Sequence, residues 1–429
     1  KFEEKHGINL CELAINERTF YQFNSFYKFT SNEILSILEQ ECKLFEDIIN
    51  QVKPDFCITK EIIQHKDSLF VKICRSNKIP VLTSSLLKLI NKYSIYQKFD
   101  EFDIDFQLKD IEIEDKTFEE LRTYLQKTTN VCKLQIDASE FLNSKIQKLK
   151  AATRYLLQSN SNIKTHYTYF GRTKVRVLLY EIKSVINKKH RKNFIDKNLL
   201  QNLDLEENFV YFPLHVDQEN SILIATPYHT NQVEIIRQIV KSLPIGYKLY
   251  VKEHFAQSTR NWRDIRTYKE IMDIPNVKLF HPDTNNKKFF EKCSLVISIA
   301  GSSALEATFY EKPSIIFCKL NFTILPSIFY VESLFDLSKT IRTALTTKIN
   351  PNELNKYLTF VKKNTFHFDI HDYSKKELKT FFFEGQLIDV KIPINKMKIF
   401  LEDNSIMFED MVSAYIKKIS WFENANSSK

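Results

Sequence analysis

The stretch Ser294–Cys318, SLVISIAGSSALEATFYEKPSIIFC, decides the fold, because it holds a strand, a helix and a second strand in direct succession. The apolar, β-branched run Leu295–Ile299 predicts a buried parallel strand. A helical pattern starts at Ala304 and stops before Pro313, after which Ser314–Cys318 predicts the next strand. This βαβ order predicts a doubly wound parallel sheet.

The turn between the first strand and the helix holds Gly301, Ser302 and Ser303. Free backbone N–H groups, the positive end of the helix dipole and two hydroxyl donors can together bind a phosphate. The chain has only 5 glycines in 429 residues, so a glycine here indicates a need for positive φ or for close backbone approach. The alternative is an ordinary strand-to-helix turn with a serine as N-cap.

Composition excludes several classes of protein. Hydrophobic residues make up 43% of the chain and aromatic residues 13%, which excludes a disordered protein, and a length of 429 residues predicts two domains. The 7 cysteines form no C-x-x-C pair, which argues against a zinc site or a disulfide framework and favours reduced thiols in the cytoplasm. No apolar run approaches the ~18 residues of a membrane span, and no signal peptide is visible.

The net charge of +9 is concentrated in one segment. Residues 141–198 hold 14 Lys and Arg residues against 2 acidic residues. Such a segment could contact anionic lipid headgroups or an anionic glycan, which predicts a peripheral membrane contact. The alternative is a solvated helical connection between two domains. No nucleic-acid-binding motif accompanies the charge, so nucleic acid is excluded as a partner.

The first part of the chain alternates helices and strands. Residues 1–50 have mainly helical periodicity, and Pro54–Thr59 and Ile79–Thr83 predict strands. Because a Rossmann-like half normally opens with a strand and a loop, and none is visible before residue 50, we expect the first domain to be incomplete. Glu61 and His65 follow the first strand and could act as general bases at the ligand-binding edge of a sheet. They could equally be surface polar residues at the start of a helix.

The second half of the chain repeats the strand–helix unit several times. The segments 208–214, 247–252, 277–280 and 295–299, which are rich in β-branched, aromatic and other apolar residues, predict strands, with helices between them. Polar clusters at 215–220, 252–254 and 301–306 each follow a strand. Because the carboxyl ends of parallel strands meet at one edge of a sheet, these clusters are expected to converge there.

Four segments of this half carry a family resemblance: FVYFPLHVDQENS, KLYVKEHF, NVKLFHPD and SLVISIAGSSALEATFYEKPSIIF. Together they resemble the capsule polysaccharide biosynthesis glycosyltransferases, a family that includes Kdo transferases. The resemblance covers residues 205–320 well and residues 50–85 faintly. Two departures stand out: Phe255 replaces the proline of the family's K-x-H-P pattern, and the loop after Pro213 lacks the family's second proline.

The resemblance implies an α/β protein with two Rossmann-like domains in a GT-B-like arrangement around a cleft, followed by a helical C-terminal tail. It also implies a nucleotide sugar as substrate, linked to CMP, UDP or GDP, with no cofactor. The aspartates suggest no D-x-D metal site, so we predict chemistry that needs no metal. We expect an N-terminal α/β acceptor domain over 1–140, a basic helical connection over 141–204, a donor domain over 205–345 and a helical region over 346–429.

The donor site implied by the resemblance has to stabilise a leaving phosphate. Its predicted binding residues are Lys252, Gly301, Ser302, Ser303, Glu306, His215 and Arg260. Glu306 is better placed for a ribose or sugar hydroxyl than for phosphate, and its alternative is a capping box with Ser303. Lys252 and His254 could instead be surface residues at a strand end, and Arg260 a solvated arginine.

The predicted catalytic residues are Glu219, His254, Glu61 and His65. Glu219 and the nearby Asp217 could bind hydroxyls or act as a base, and a solvated loop is the alternative. The predicted function is a glycosyltransferase, located in the cytoplasm or at the inner face of the membrane, that builds a capsular or other surface polysaccharide on a glycan or lipid-linked acceptor. Two alternatives remain open: a sugar-nucleotide epimerase of the same architecture and a non-catalytic glycan-assembly protein.

Overall fold

The computed structural model describes residues 1–87, 92–98, 101–103, 107–128, 145–157, 166–204, 206–387 and 390–427. The chain forms two compact units. The first unit comprises Lys1–Thr83, Tyr96–Tyr124 and Phe170–Phe360. The second comprises Ser84–Ile95, Leu125–Tyr169 and Val361–Lys429. The four-part domain division expected from the sequence stays a prediction.

Helices dominate the start of the first unit. These are α1 (Phe2–His6), α2 (Leu10–Asn16), α3 (Ser31–Val52) and α4 (His65–Ser76). Thr30 and Glu33 form a reciprocal capping box at the start of α3, where the Thr30 N–H donates to Glu33 Oε2 over 2.8 Å. Apolar residues of α1 to α4 pack into one buried cluster with the strand that follows.

A small sheet follows these helices. It contains β1 (Cys57–Thr59), β2 (Val81–Leu87) and β3 (Lys92–Tyr96), in the order β1-β2-β3. β1 pairs in parallel with the first residues of β2, Cys57 lying opposite Val81. The predicted strands at Pro54–Thr59 and Ile79–Thr83 are therefore present; they begin three and two residues later than predicted, and the second continues to Leu87.

The middle of the chain is helical where it is described. It contains α5 (Phe118–Thr128), α6 (Lys145–Leu157) and α7 (Lys174–Asn198). Residues 129–144 lie outside the described residues, and so do residues 158–165; of these, 141–144 and 158–165 belong to the predicted basic segment. α7 is capped by Thr173, whose Oγ1 accepts from the N–H of Arg176 over 3.3 Å.

A six-stranded parallel sheet forms the centre of the first unit. Its strands are β4 (Phe209–Pro213), β5 (Lys248–Lys252), β6 (Val277–Phe280), β7 (Leu295–Ser298), β8 (Ser314–Ile316) and β9 (Ile328–Tyr330). The spatial order is β6-β5-β4-β7-β8-β9, so the chain builds outwards from β4 in one direction and then from β7 in the other. The helices between the strands are α8 (Asn220–Leu223), α9 (Gln232–Ser242), α10 (Ile265–Met272), α11 (Asn286–Lys292) and α12 (Ser303–Phe309).

Alternate residues of each strand enter different cores, which is why these strands are almost continuously apolar. On one face Val210 and Ile297 pack in a cluster with residues of α9 and α10. On the other face Tyr211 stacks on Phe289 of α11 with ring centroids 4.5 Å apart, and Ala307 of α12 belongs to the same cluster. Helices therefore cover both faces of the sheet, as a doubly wound fold requires.

The chain ends in helices. They are α13 (Leu337–Thr346), α14 (Pro351–Lys363), α15 (Ile370–Phe381), α16 (Ile394–Asp403) and α17 (Ser405–Ser427). In the second unit Phe381 packs against Phe400 with ring centroids 5.0 Å apart. The predicted α/β class with a helical C-terminal tail is confirmed. None of the helices in the described ranges is both long enough and apolar enough to cross a membrane.

Candidate functional site

The site lies where the order of the large sheet reverses, between β4 and β7. β4 pairs with β7 in parallel, so the segments that follow these two strands leave the sheet side by side at its carboxyl edge. Helices then diverge from such a point, and the crevice between them is where open α/β sheets bind ligands. His215 follows β4 and the turn Ala300–Ser303 follows β7, as the polar clusters of the sequence predict.

His215 connects the two loops. Its N–H donates to Gln232 Oε1 over 2.8 Å, and Gln232 Nε2 donates to the His215 carbonyl over 3.0 Å, which fixes the loop after β4 to the start of α9. Its Nε2 lies 3.2 Å from Ser298 Oγ and accepts from the N–H of Ala300 over 3.4 Å. The buried imidazole therefore lies against the turn after β7.

Gly301 is required by this close approach. A Cβ at position 301 would lie 2.6 Å from Ser298 Oγ and 2.7 Å from His215 Cε1. The φ of Gly301 is not among the positive values, so backbone conformation alone does not demand glycine here. Of the two reasons that the sequence offered for this glycine, close approach is the one found.

The start of α12 leaves backbone donors available. Ser302 is the N-cap and its side chain makes no capping bond, so the capping box of Ser303 with Glu306 is wrong. The N–H groups of Ser302 and Ser303 have no hydrogen-bond partner among the described residues. Both serines are partly exposed, so their donors can be reached from solvent.

Lys252 ends β5, the strand next to β4, where it lies in register with Pro213. Its ammonium is buried and donates to Asn286 Oδ1 over 2.5 Å. Burial raises the pKa of Glu306 to about 7, and the positive charge of Lys252 opposes that rise. A cation and a carboxyl group that is half-protonated near neutral pH therefore share one environment, as is common at functional sites.

His254 follows Lys252 at the start of a 3₁₀ helix, Phe255–Arg260. Its Nδ1 accepts from the N–H of Ala256 over 3.2 Å, so the neutral ring carries its proton on Nε2. Arg260 ends the same 3₁₀ helix and is exposed. Burial and the nearby charge of Arg260 both lower the pKa of Arg18, which places these two arginines within electrostatic reach of each other.

A buried arginine that the sequence did not single out supports the same loops. Arg263 Nε donates to Glu253 Oε2 over 2.8 Å, and Tyr268 Oη donates to the same oxygen over 2.8 Å. Arg263 also binds the Asp217 carboxylate and the His215 carbonyl. Burial opposes the charge of Arg263, but Glu253 and Asp217 raise its pKa. Asp217 is thus committed to an ion pair, which does not favour its use as a base.

Glu61 contacts the loop that carries Glu219. Glu219 is the N-cap of α8, and its Oε2 accepts from Ser221 Oγ over 3.4 Å. The next residue, Asn220, donates from Nδ2 to Glu61 Oε1 over 2.8 Å and to the Ile62 carbonyl over 3.2 Å. Asn220 therefore holds the segment after β1 against the loop after β4, and no spacing rule indicates this contact.

His65 lies apart from that group, in a buried cluster. Its Nδ1 and Nε2 are each 2.7 Å from a carboxylate oxygen, of Glu17 and Glu41 respectively. Burial opposes protonation, but the hydrogen bonds that the ring donates to both carboxylates raise the His65 pKa to about 9. Burial likewise opposes the charge of Glu17, while bonds from His65 lower its pKa to about 2. An imidazolium held this way is a poor general base, so the predicted catalytic role of His65 is not favoured.

The structure thus brings together His215, Gly301, Ser302 and Ser303 at one turn, with Lys252 at the adjacent strand end and Glu306 within its electrostatic reach. Glu61 approaches the loop that carries Glu219. Within the described ranges, no group of three His, Cys, Asp or Glu residues is arranged to hold a metal ion. The roles predicted for the individual residues stay predictions.

Comparison with known proteins bears on this site. The family described as "Capsule polysaccharide biosynthesis protein" matches residues 116–325, which include every strand from β4 to β8. The resemblance inferred from the sequence motifs is thereby confirmed. No curated protein sequence matches the chain.

Several solved structures are similar at low identity. KpsC, the beta Kdo 2,7 transferase of Thermosulfurimonas dismutans, is 10% identical with a TM-score of 0.33, over 77% of this chain and 88% of that one. The UDP-GlcNAc 2-epimerase of Methanocaldococcus jannaschii is 12% identical with a TM-score of 0.28, over 79% and 83%. The UDP-GlcNAc 2-epimerase of Neisseria meningitidis is 12% identical with a TM-score of 0.28, over 78% and 82%.

Proposed function

We propose that this relative of the capsule polysaccharide biosynthesis proteins is a glycosyltransferase that uses a nucleotide-activated sugar. The observation that carries the proposal is the crevice between β4 and β7, where a buried histidine, a glycine turn with available N–H donors and a neighbouring lysine converge. That set suits an anionic group, because backbone donors and a cation in a poorly solvated site stabilise negative charge.

The reaction breaks the bond between the anomeric carbon of the donor and its phosphate oxygen, and the electron pair leaves with the nucleotide. Lys252 and the N–H groups of Ser302 and Ser303 would stabilise the charge that develops on that oxygen, and Nε2 of His254 could donate a proton to it. Glu306 would accept a hydrogen bond from a ribose or sugar hydroxyl.

An acceptor hydroxyl forms the new bond to the anomeric carbon and must lose its proton to a base. Glu219 and Glu61 are the candidates, because Asn220 holds the segments that carry them against each other. A carboxylate can serve when it lies within hydrogen-bond reach of the attacking hydroxyl. The acceptor, as part of this proposal, is a glycan or lipid-linked glycan presented at the cytoplasmic face of the membrane.

Calorimetric titration with CMP, UDP and GDP tests the proposal. Lys252→Met and the double variant Ser302→Ala/Ser303→Ala should each weaken binding of the preferred nucleotide about tenfold or more, because each removes contacts to a charged group. Lys248→Met is the matched control, since Lys248 begins the same strand and pairs with Glu207. It should leave affinity unchanged.

Two outcomes would overturn the proposal. If none of the three nucleotides binds, the non-catalytic alternative replaces it. If a nucleotide sugar is isomerised with no acceptor present, the epimerase alternative does. A donor screen with radiolabelled nucleotide sugars and a membrane glycan extract then identifies the sugar that is transferred.

A further inference from the structure

An exposed apolar stripe runs along α7. Val175, Leu179, Ile182 and Ile186 keep 67%, 61%, 61% and 63% of their surface exposed. They are separated by four, three and four residues, a spacing that places them on one side of a helix. The stripe extends over roughly 17 Å of the helix axis. Single exposed apolar residues are ordinary, but an aligned set marks an interaction surface.

Cations border this stripe along one edge and at its C-terminal end. At 100° per residue, Arg176 and Lys183 lie along one edge, and Lys189 and Lys192 follow Ile186 within the next two turns; all four are exposed, and Lys192 pairs with Asp196. Residues 172–192 contain eight Lys and Arg residues and one acidic residue, Glu181. An apolar band bordered by cations is the pattern of a helix that lies at a membrane surface.

The side of α7 opposite the stripe packs against other residues of the first unit. Tyr180 packs on Phe26 with ring centroids 4.9 Å apart. Arg191 Nη1 donates to the carbonyls of Asn261 and Trp262, each over 3.0 Å. Ile195 is fully buried in the core beside the large sheet. These contacts fix the helix by its inner face and its C-terminal end, so the stripe faces outward.

Charge decides which partner fits the stripe. Its spacing would also suit a coiled coil, but the positions that flank such a seam hold Arg176 and Lys183 on one side and the apolar Leu178 and Val185 on the other. An antiparallel pair of copies would bring like charges together, and a parallel pair would form no complementary charge pair at these positions. An anionic bilayer accepts both features, because the apolar side chains enter the headgroup boundary while Lys and Arg extend their stems towards phosphates.

We infer that α7 docks this protein on an anionic membrane surface through the stripe Val175–Ile186. This goes beyond the transferase chemistry and does not depend on it. A bilayer contact at this helix would keep the crevice of the same unit near an acceptor carried by a lipid.

Co-sedimentation of the full chain with vesicles tests the inference, with no nucleotide sugar present. Vesicles of phosphatidylcholine with 30% phosphatidylglycerol should bind the wild type, and 0.5 M NaCl should weaken that binding severalfold. Leu179→Asp/Ile182→Asp and Arg176→Glu/Lys183→Glu should each reduce it about tenfold or more. The matched control is Ile245→Asp/Lys269→Glu, which alters an exposed apolar residue and an exposed lysine elsewhere and should bind like the wild type.

Circular dichroism and nucleotide titration show whether each variant is folded, since the substituted side chains are exposed and lie outside the cores. The inference is overturned if folded wild type does not sediment with anionic vesicles, or if it binds pure phosphatidylcholine equally well. The inference is also overturned if the control variant loses vesicle binding to the same extent. It is overturned as well if the protein binds no vesicles but dimerises in a concentration-dependent way, and Leu179→Asp/Ile182→Asp abolishes that dimerisation.

Discussion

Adding one methyl group at Gly301 is the smallest change that should disturb the crevice. In Gly301→Ala the new Cβ would lie 2.6 Å from Ser298 Oγ and 2.7 Å from His215 Cε1, distances that real side chains do not tolerate. Ser298 is a fully buried strand residue, and the His215 backbone is bonded to Gln232. The turn or the imidazole has to move, at a cost of about 1–3 kcal/mol in the free energy of unfolding.

Movement of the turn should also weaken nucleotide binding. Losing one hydrogen bond to a charged phosphate costs about 1.5–3 kcal/mol, or roughly ten- to hundredfold in affinity. The assay is urea unfolding together with calorimetric titration of the preferred nucleotide. Gly7→Ala is the control: Gly7 has φ +63 and no atom near a Cβ, so alanine there should cost stability through backbone strain alone and leave affinity unchanged.

A double-mutant cycle identifies the cause. If the clash with His215 is responsible, the loss of unfolding free energy in Gly301→Ala/His215→Ala should be smaller than the sum of the losses in the two single variants. The difference should be at least ~0.5 kcal/mol. Strict additivity of the two losses would refute this explanation. So would a Gly301→Ala variant with wild-type stability and wild-type affinity.

Three further predictions concern buried charge. Arg263→Met should lower the free energy of unfolding by about 3–5 kcal/mol, because it leaves Glu253 buried without its partner. The control Arg237→Met, which breaks an exposed pair, should cost less than ~1 kcal/mol. Equal losses of stability in urea unfolding would contradict this prediction. The His65 pKa of about 9 lies above its ordinary 6.5, so its contribution is complete below pH 6.5 and is lost as pH rises through 9. The free energy of unfolding measured in urea should therefore fall over that range by on the order of 3 kcal/mol more in wild type than in His65→Asn, and parallel pH profiles would argue against the ion-paired cluster. Burial raises the Glu306 pKa to about 7, so affinity for a nucleotide sugar should increase from pH 6 to pH 8 as the carboxylate forms. Glu306→Gln should abolish this increase in affinity. An increase that survives the substitution must come from another group.

The sequence predicts the large sheet well because its signal is local. Short apolar runs such as Val277–Phe280, followed by polar residues, mark each strand and its carboxyl end. The convergence of His215 with the glycine turn follows from strand order alone, since adjacent parallel strands end at one edge. The reason for Gly301 is visible only in the structure. A sequence pattern does not distinguish a glycine that adopts a positive φ from one that makes room for a neighbouring ring.

Other features depend on contacts between residues distant in the chain. Arg263 follows Asn261 and Trp262, both with positive φ, and its partners Glu253 and Asp217 come from two other loops. His65 looked like an accessible base after a strand, but the carboxylates of Glu41 in α3 and of Glu17, directly after α2, enclose it. Periodicity reports which side of a helix is apolar, not which charges meet in the folded chain.

The central claim is that the crevice between β4 and β7 holds the phosphate of a nucleotide sugar. A crystal structure of the protein with its preferred nucleotide tests it most directly. We predict phosphate oxygens about 2.7–3.2 Å from the N–H groups of Ser302 or Ser303, with the Lys252 ammonium on the same phosphate. A nucleotide bound elsewhere, with this turn in contact with solvent alone, would contradict the account.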